Sequence, residues 1–117
     1  MTPEQLAHHI EATAAGFLYI ARVEMVLRTP HTLKMRLHIM PDCFVQVYHN
    51  TQKDLVSYAL VMGGMRIYGR NRDGGTWHRH PVEDPDTHDF SEERQRPVDL
   101  DGFLMEVGGI LADLGVL

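Results

Sequence analysis

Apolar and polar residues alternate most strictly between Leu33 and Ile39. Leu33, Met35, Leu37 and Ile39 fall on one side of an extended chain, and Lys34, Arg36 and His38 fall on the other. This is the period-two signature of a strand buried on one face. The flanking segments read in the same way. Residues 19–28 are rich in β-formers, with Ala21, Val23, Met25 and Leu27 on the apolar side, and Thr29-Pro30-His31 makes the turn. Pro41-Asp42 leads into residues 44–49, where Val45 and Val47 share a face. The polar run 50–54 is a hairpin loop, Leu55–Met62 is a further strand, and Gly63-Gly64 is a two-residue turn. Residues 65–70 return with Met65 and Ile67 inward and Arg66, Tyr68 and Arg70 outward.

Both ends of the chain read as helices. Thr2-Pro3-Glu4 offers an N-cap, a proline at the first helical position and an acid in the first turn. Leu6, Ile10 and Ala14 then recur on one face, and Gly16 is the expected stop. A second helix is expected to begin near Asp99 or Asp101, to carry Phe103, Leu104, Val107, Ile110, Leu111 and Leu114, and to end at Gly115. The expected fold is a single α+β domain over residues 1–117. A five- or six-stranded antiparallel meander carries the N- and C-terminal helices on its apolar face. Residues 81–98 form a long acidic, Pro-rich loop, of a length that is often functional.

Charge adds an asymmetry to this outline. Residues 1–80 hold nine Lys/Arg against six Asp/Glu, and residues 81–117 hold two against ten, giving +3 and −8 within the net −5. An acidic C-terminal segment beside a mildly basic body can screen it or repel wrong partners. Cys43 has no second cysteine to pair with, and it reads as a small core residue in a reducing, cytoplasmic setting. No apolar run approaches ~18 residues, so no membrane partner is expected.

With helices on the apolar face, the opposite face is expected to display Lys34, Arg36, His38, Gln46, Tyr48, Arg66, Tyr68 and Arg70. Cations interleaved with tyrosines on a sheet form a platform for a phosphate backbone and stacked bases. The same surface also suits a homodimer, with Phe44 and Tyr48 supplying apolar area.

Beyond the turn 71–75, His78 and His80 lie two apart, which in a strand puts them on one face with Trp77 and Arg79 on the other. His88 follows in the acidic loop. Three readings of the histidines are open. As acid/base catalysts, His78, His80 and His88 would exchange protons at a ribose 2′-hydroxyl while arginines hold the phosphate. Arg66, Tyr68, Arg70, Asn71, Trp77, Arg36 and Tyr48 would then bind the substrate, and no cofactor is needed. As metal ligands, His78 and His80 would be completed by His88 or by Glu83, Asp84 or Asp86. As structural groups, they would cap the sheet edge and anchor the acidic loop.

The pieces Tyr68-Gly69-Arg70-Asn71-Arg72-Asp73, then Trp77-His78-Arg79-His80-Pro81, then His88 resemble the TumE-type toxins of toxin–antitoxin modules, or a related branch. The likeness lies in the order of elements over the middle and later two-thirds of the chain. It implies an RNA-directed toxin-like protein, a metal-independent endoribonuclease in its sharpest form, with a cognate antitoxin as partner. The family tends to carry paired histidines at its last motif, whereas this chain has His88 between Asp86 and Asp89. A non-enzymatic binding module or homodimer built on the polar face, and a small histidine-based metal-binding protein, are the alternatives.

Overall fold

A computed structural model describes residues 1–82 and 97–117. Helix α1 (Pro3–Ala14) comes first, followed by six strands: β1 (Arg22–Arg28), β2 (Thr32–Met40), β3 (Cys43–Asn50), β4 (Leu55–Met62), β5 (Met65–Asp73) and β6 (Thr76–His80). Helix α2 (Leu100–Asp113) closes the chain. The strands form one sheet in sequence order, and each neighbouring pair is antiparallel. The expected α+β meander is therefore present, with six strands. Most of the 81–98 loop, including His88, lies outside the described residues.

Thr2 caps α1 through a reciprocal capping box with Gln5, which satisfies two backbone donors that the first turn leaves open. The helix ends at Ala14, two residues before Gly16. The chain then crosses to β1 with Phe17, Tyr19 and Ile20 packed against the core. The strand thus begins at Arg22, later than the residue types suggest. Asp99 caps α2 by accepting from the Gly102 amide at 2.8 Å. Gly115, in the left-handed region at φ 75°, follows the end of that helix. The pair Gly108-Gly109 has a packing role at its first member, because a Cβ there would stand 3.6 Å from the Tyr19 ring. The Tyr19 hydroxyl donates to the Leu104 carbonyl at 2.6 Å, tying the α1–β1 link to α2.

The core lies between the sheet and the two helices. Leu33, Met35 and Leu37 of β2, Cys43, Val45 and Val47 of β3, and Leu60 of β4 meet Ile10 of α1 and Phe103, Leu104, Val107 and Leu111 of α2, all essentially fully buried. At roughly 1.5–3 kcal/mol for each large side chain removed from water, this layer dominates the stability of the domain. Cys43 belongs to it as expected, and its thiol is raised by burial and by Asp42. Among the described residues no helix is long and apolar enough to cross a membrane.

Three irregularities interrupt the ladder, and two of them reverse what strict alternation predicts. Between Met25 and Leu27 the β1–β2 register slips by one residue, so that Leu27 pairs with Lys34. Directly paired residues share a face, and Leu27 therefore stands with the polar set instead of the apolar one. Between β4 and β5, Leu60 pairs with Tyr68 while Val61 pairs with Arg66, leaving Ile67 as the extra residue. Such a bulge lets neighbouring residues share a side. Ile67 packs against the core, and Tyr68 and Arg70 turn inward with it. The expectation that Arg66, Tyr68 and Arg70 line one outer surface fails at this point. The third slip leaves Ile39 between His38 and Met40.

Candidate functional site

The β5–β6 hairpin positions most of the residues singled out in the sequence. It closes through Gly74-Gly75, with φ 61° and 85°, backbone values that L side chains rarely adopt and that suit a two-residue hairpin turn. Strand β5 runs through Asn71 and Arg72 to Asp73, so the turn itself is shorter than the predicted 71–75. The resulting register pairs Arg72 with Trp77, Asn71 with His78, Arg70 with Arg79, and Gly69 with His80.

On the helix-covered side the pairs Arg70–Arg79 and Arg72–Trp77 meet Tyr58 and Tyr68. Arg70, 3% exposed, sends Nε to Glu106 Oε1 at 3.1 Å and Nη2 to Oε2 at 2.6 Å. The Tyr68 hydroxyl donates to Glu106 Oε1 at 2.9 Å. Burial, then the nearby Glu106 charge, raises the Tyr68 phenol. Burial is the largest single influence and opposes the Arg70 charge, but hydrogen bonding to Glu106 and the charge attraction of Tyr68 and Glu106 together outweigh it and the guanidinium rises. Tyr68 stacks on Phe103 at 5.7 Å, Tyr58 packs against Phe103 at 5.4 Å, and Trp77 stacks on Tyr58 at 6.2 Å. Burial pushes the Tyr58 phenol up to about 12. Tyr68, Arg70 and Trp77, expected as substrate binders, are thus on the packed side of the sheet, in contact with α2 or with the aromatic stack over it.

The opposite side gathers the others. Pairings run across the sheet from Arg36 to Gln46, Ala59, Gly69 and His80, and from Lys34 to Tyr48, Ser57, Asn71 and His78. Arg66, paired with Val61, stands beside His80 and contacts its Nδ1 through Nη2 at 3.1 Å. A guanidinium only donates, so Nδ1 of His80 accepts in this contact and the ring hydrogen of neutral His80 sits on Nε2. The His78 and His80 rings are 5.2 Å apart at 67°. Both are buried, at 7% and 2% exposure. The Ser57 hydroxyl donates to Asn71 Oδ1 at 3.3 Å.

Small residues make this arrangement possible. A Cβ on Gly69 would stand 3.1 Å from the Tyr58 carbonyl oxygen, 3.5 Å from Arg66 Cδ and 3.6 Å from His80 Cδ2. Glycine there lets Arg66 and His80 lie over the sheet. Toward β2 the Lys34 ammonium lies 5.9 Å from the Tyr48 ring centroid, and the Arg36 guanidinium lies 4.7 Å from that of Phe44. Both are cation–π contacts at the usual range.

The structure therefore brings His78, His80, Arg66, Asn71, Arg36 and Tyr48 to the face of the sheet away from the helices, and Tyr68, Arg70 and Trp77 to the helix-covered face. His88 and the acids Glu83, Asp84 and Asp86 lie outside the described residues. Among the described residues, no group of three or more His, Cys, Asp or Glu side chains is arranged to hold a metal ion. Spacing along the chain reveals neither Glu106 as the partner of Arg70 nor Glu24 as that of His38; the latter two, on β1 and β2, meet at 2.7 Å. His38 was legible as a polar-face residue, but its partner depends on a strand register that residue types do not reveal. No family model, curated protein or solved structure matches the chain.

Proposed function

We propose that the sheet face away from the helices binds single-stranded RNA and that His78, His80 and Arg66 cleave it without a metal, as the TumE-like motifs imply. The supporting observation is the shared face: strand pairing aligns Lys34, Arg36, Tyr48, Asn71, His78 and His80 on one side of the sheet. At ~4.8 Å per strand, the rows from β2 to β6 extend over roughly 19 Å. That length offers cations for phosphates and an aromatic ring for stacking along one strand.

In this reading one imidazole takes the 2′-hydroxyl proton as the 2′-oxygen attacks the adjacent phosphorus. The bond to the 5′-oxygen breaks, and the other imidazole, entering the step as an imidazolium, gives its proton to that leaving oxygen and becomes neutral. Arg66 exchanges its contact with His80 for the phosphate oxygens and stabilises their growing charge. A cognate antitoxin would act by covering the same face.

A second reading, RNA binding without chemistry, is favoured by the burial of both imidazoles, since a substrate must reach a ring to exchange protons with it. One assay separates the two. Purified full-length protein should bind and cleave a single-stranded RNA, and His78→Gln/His80→Gln should lower cleavage at least about 100-fold while binding persists. Binding with no cleavage by the wild type selects the second reading, and absence of binding overturns both.

A further inference from the structure

A separate polar site lies at the other end of the face away from the helices, with β3, β4 and β5 between it and the β6 histidines. His38 Nε2 and Glu24 Oε1 meet at 2.7 Å, with the His38 side chain 15% and the Glu24 side chain 43% exposed. His38 and Arg22 line a cleft of about 500 Å³, and the strand register pairs these two residues directly. Arg36, the cross-strand partner of Glu24, is held over the Phe44 ring. Its Nε is buried with no hydrogen-bond partner among the described residues.

The electrostatics fix the proton positions. The His38 hydrogen bond, then the attraction of His38, Arg22 and Arg36, holds the Glu24 carboxyl below its ordinary range. Ionised at neutral pH, Glu24 only accepts, so Nε2 of His38 must donate. Neutral His38 is then left with Nδ1 as a proton acceptor, in the way that a carboxylate orients a catalytic or ligating imidazole. Among the described residues of the lining, Arg22 is the one charged side chain besides the His38 imidazole, and a guanidinium at the wall of a cleft suits an anion.

We propose that the Arg22–His38 cleft is a second ligand site, for a phosphate ester that carries a hydroxyl next to its phosphate. Arg22 takes the phosphate oxygens, His38 Nδ1 accepts from the hydroxyl, and Glu24 acts as the positioning residue. The β6 histidines play no part in this site, and it stands whether or not they cleave RNA.

Imidazole nitrogen NMR of the full chain tests it with two probes, adenosine 3′-monophosphate and its 2′-deoxy counterpart. The expected result has four parts. Free His38 carries its hydrogen on Nε2, the ribonucleotide shifts its signals saturably, the deoxy probe binds about fivefold more weakly, and Arg22→Gln weakens binding by a similar factor. Glu24→Gln should erase the fixed tautomer and, with the other histidine signals in place, bring the affinities of the ribonucleotide and the deoxy probe together; a merely structural contact would leave that preference unchanged. A His38 hydrogen on Nδ1 overturns the proposal. So do equal affinities for the two probes, or shifts that sodium chloride reproduces at matched ionic strength.

Discussion

On one side of the β5–β6 hairpin Arg70 meets Glu106 of α2, and on the other Arg66 meets His80. The two arginines are four residues apart on the same strand. Strict alternation would put them on one face, yet the bulge at Ile67 sends them to opposite faces. Under α2 the guanidinium is fully engaged by a carboxylate and a phenol shares that carboxylate, so the charge is spent on holding helix to sheet. On the side away from the helices the guanidinium meets the His80 imidazole, and the proposed function has phosphate take the place of that contact. The same residue type on one strand thus meets a helix carboxylate on one face and a strand imidazole on the other.

The contrast is tested most severely through Glu106. Glu106→Ala removes the carboxylate that holds both the buried Arg70 guanidinium and the Tyr68 hydroxyl and should cost about 3–5 kcal/mol of stability, read as a lower urea midpoint. A loss as small as that of an exposed ion pair would mean that the two faces differ less than their geometry indicates. The face away from the helices should respond in binding instead. Lys34→Ala/Arg36→Ala should lower stability by only about 0.5–1 kcal/mol for each lost cation–π contact while weakening RNA binding, with the log–log salt slope falling by up to about 2 if each cation neutralises one phosphate. An unchanged slope would remove these residues from the phosphate path.

The smallest effect concerns His49. Burial, with a lesser push from His9, lowers this imidazole below its ordinary 6.5. The folded state then binds fewer protons than the unfolded chain. Its contribution is in place above about 6.5 and is lost as the pH falls below that value toward the folded pKa. Urea midpoints measured at pH 7.5 and 5.5 should therefore converge in His49→Gln relative to wild type.

Much of this division was legible before the structure. The alternation of β2 and β3 shows in their residues because each side of those strands meets one environment throughout. The relation of His78 and His80 to Trp77 and Arg79 was also readable, since a two-residue step holds within any uninterrupted strand. The face taken by Tyr68 and Arg70 was not readable. A bulge is selected by how a strand must twist to seat Tyr68 on Phe103, and that fit belongs to α2, more than thirty residues away. The Glu24–His38 contact was hidden for a related reason, since it depends on the pairing of two strands and not on spacing along either one.

The slip in β1 has a consequence of its own. Met25, Val26 and Leu27 are all about 40% exposed on an outermost strand, the kind of segment that invites another chain to add to the sheet. The displaced residue breaks the even row of amides and carbonyls that such an intruder would copy. What looks like a fault in the ladder therefore guards the sheet against growing into an aggregate from that side.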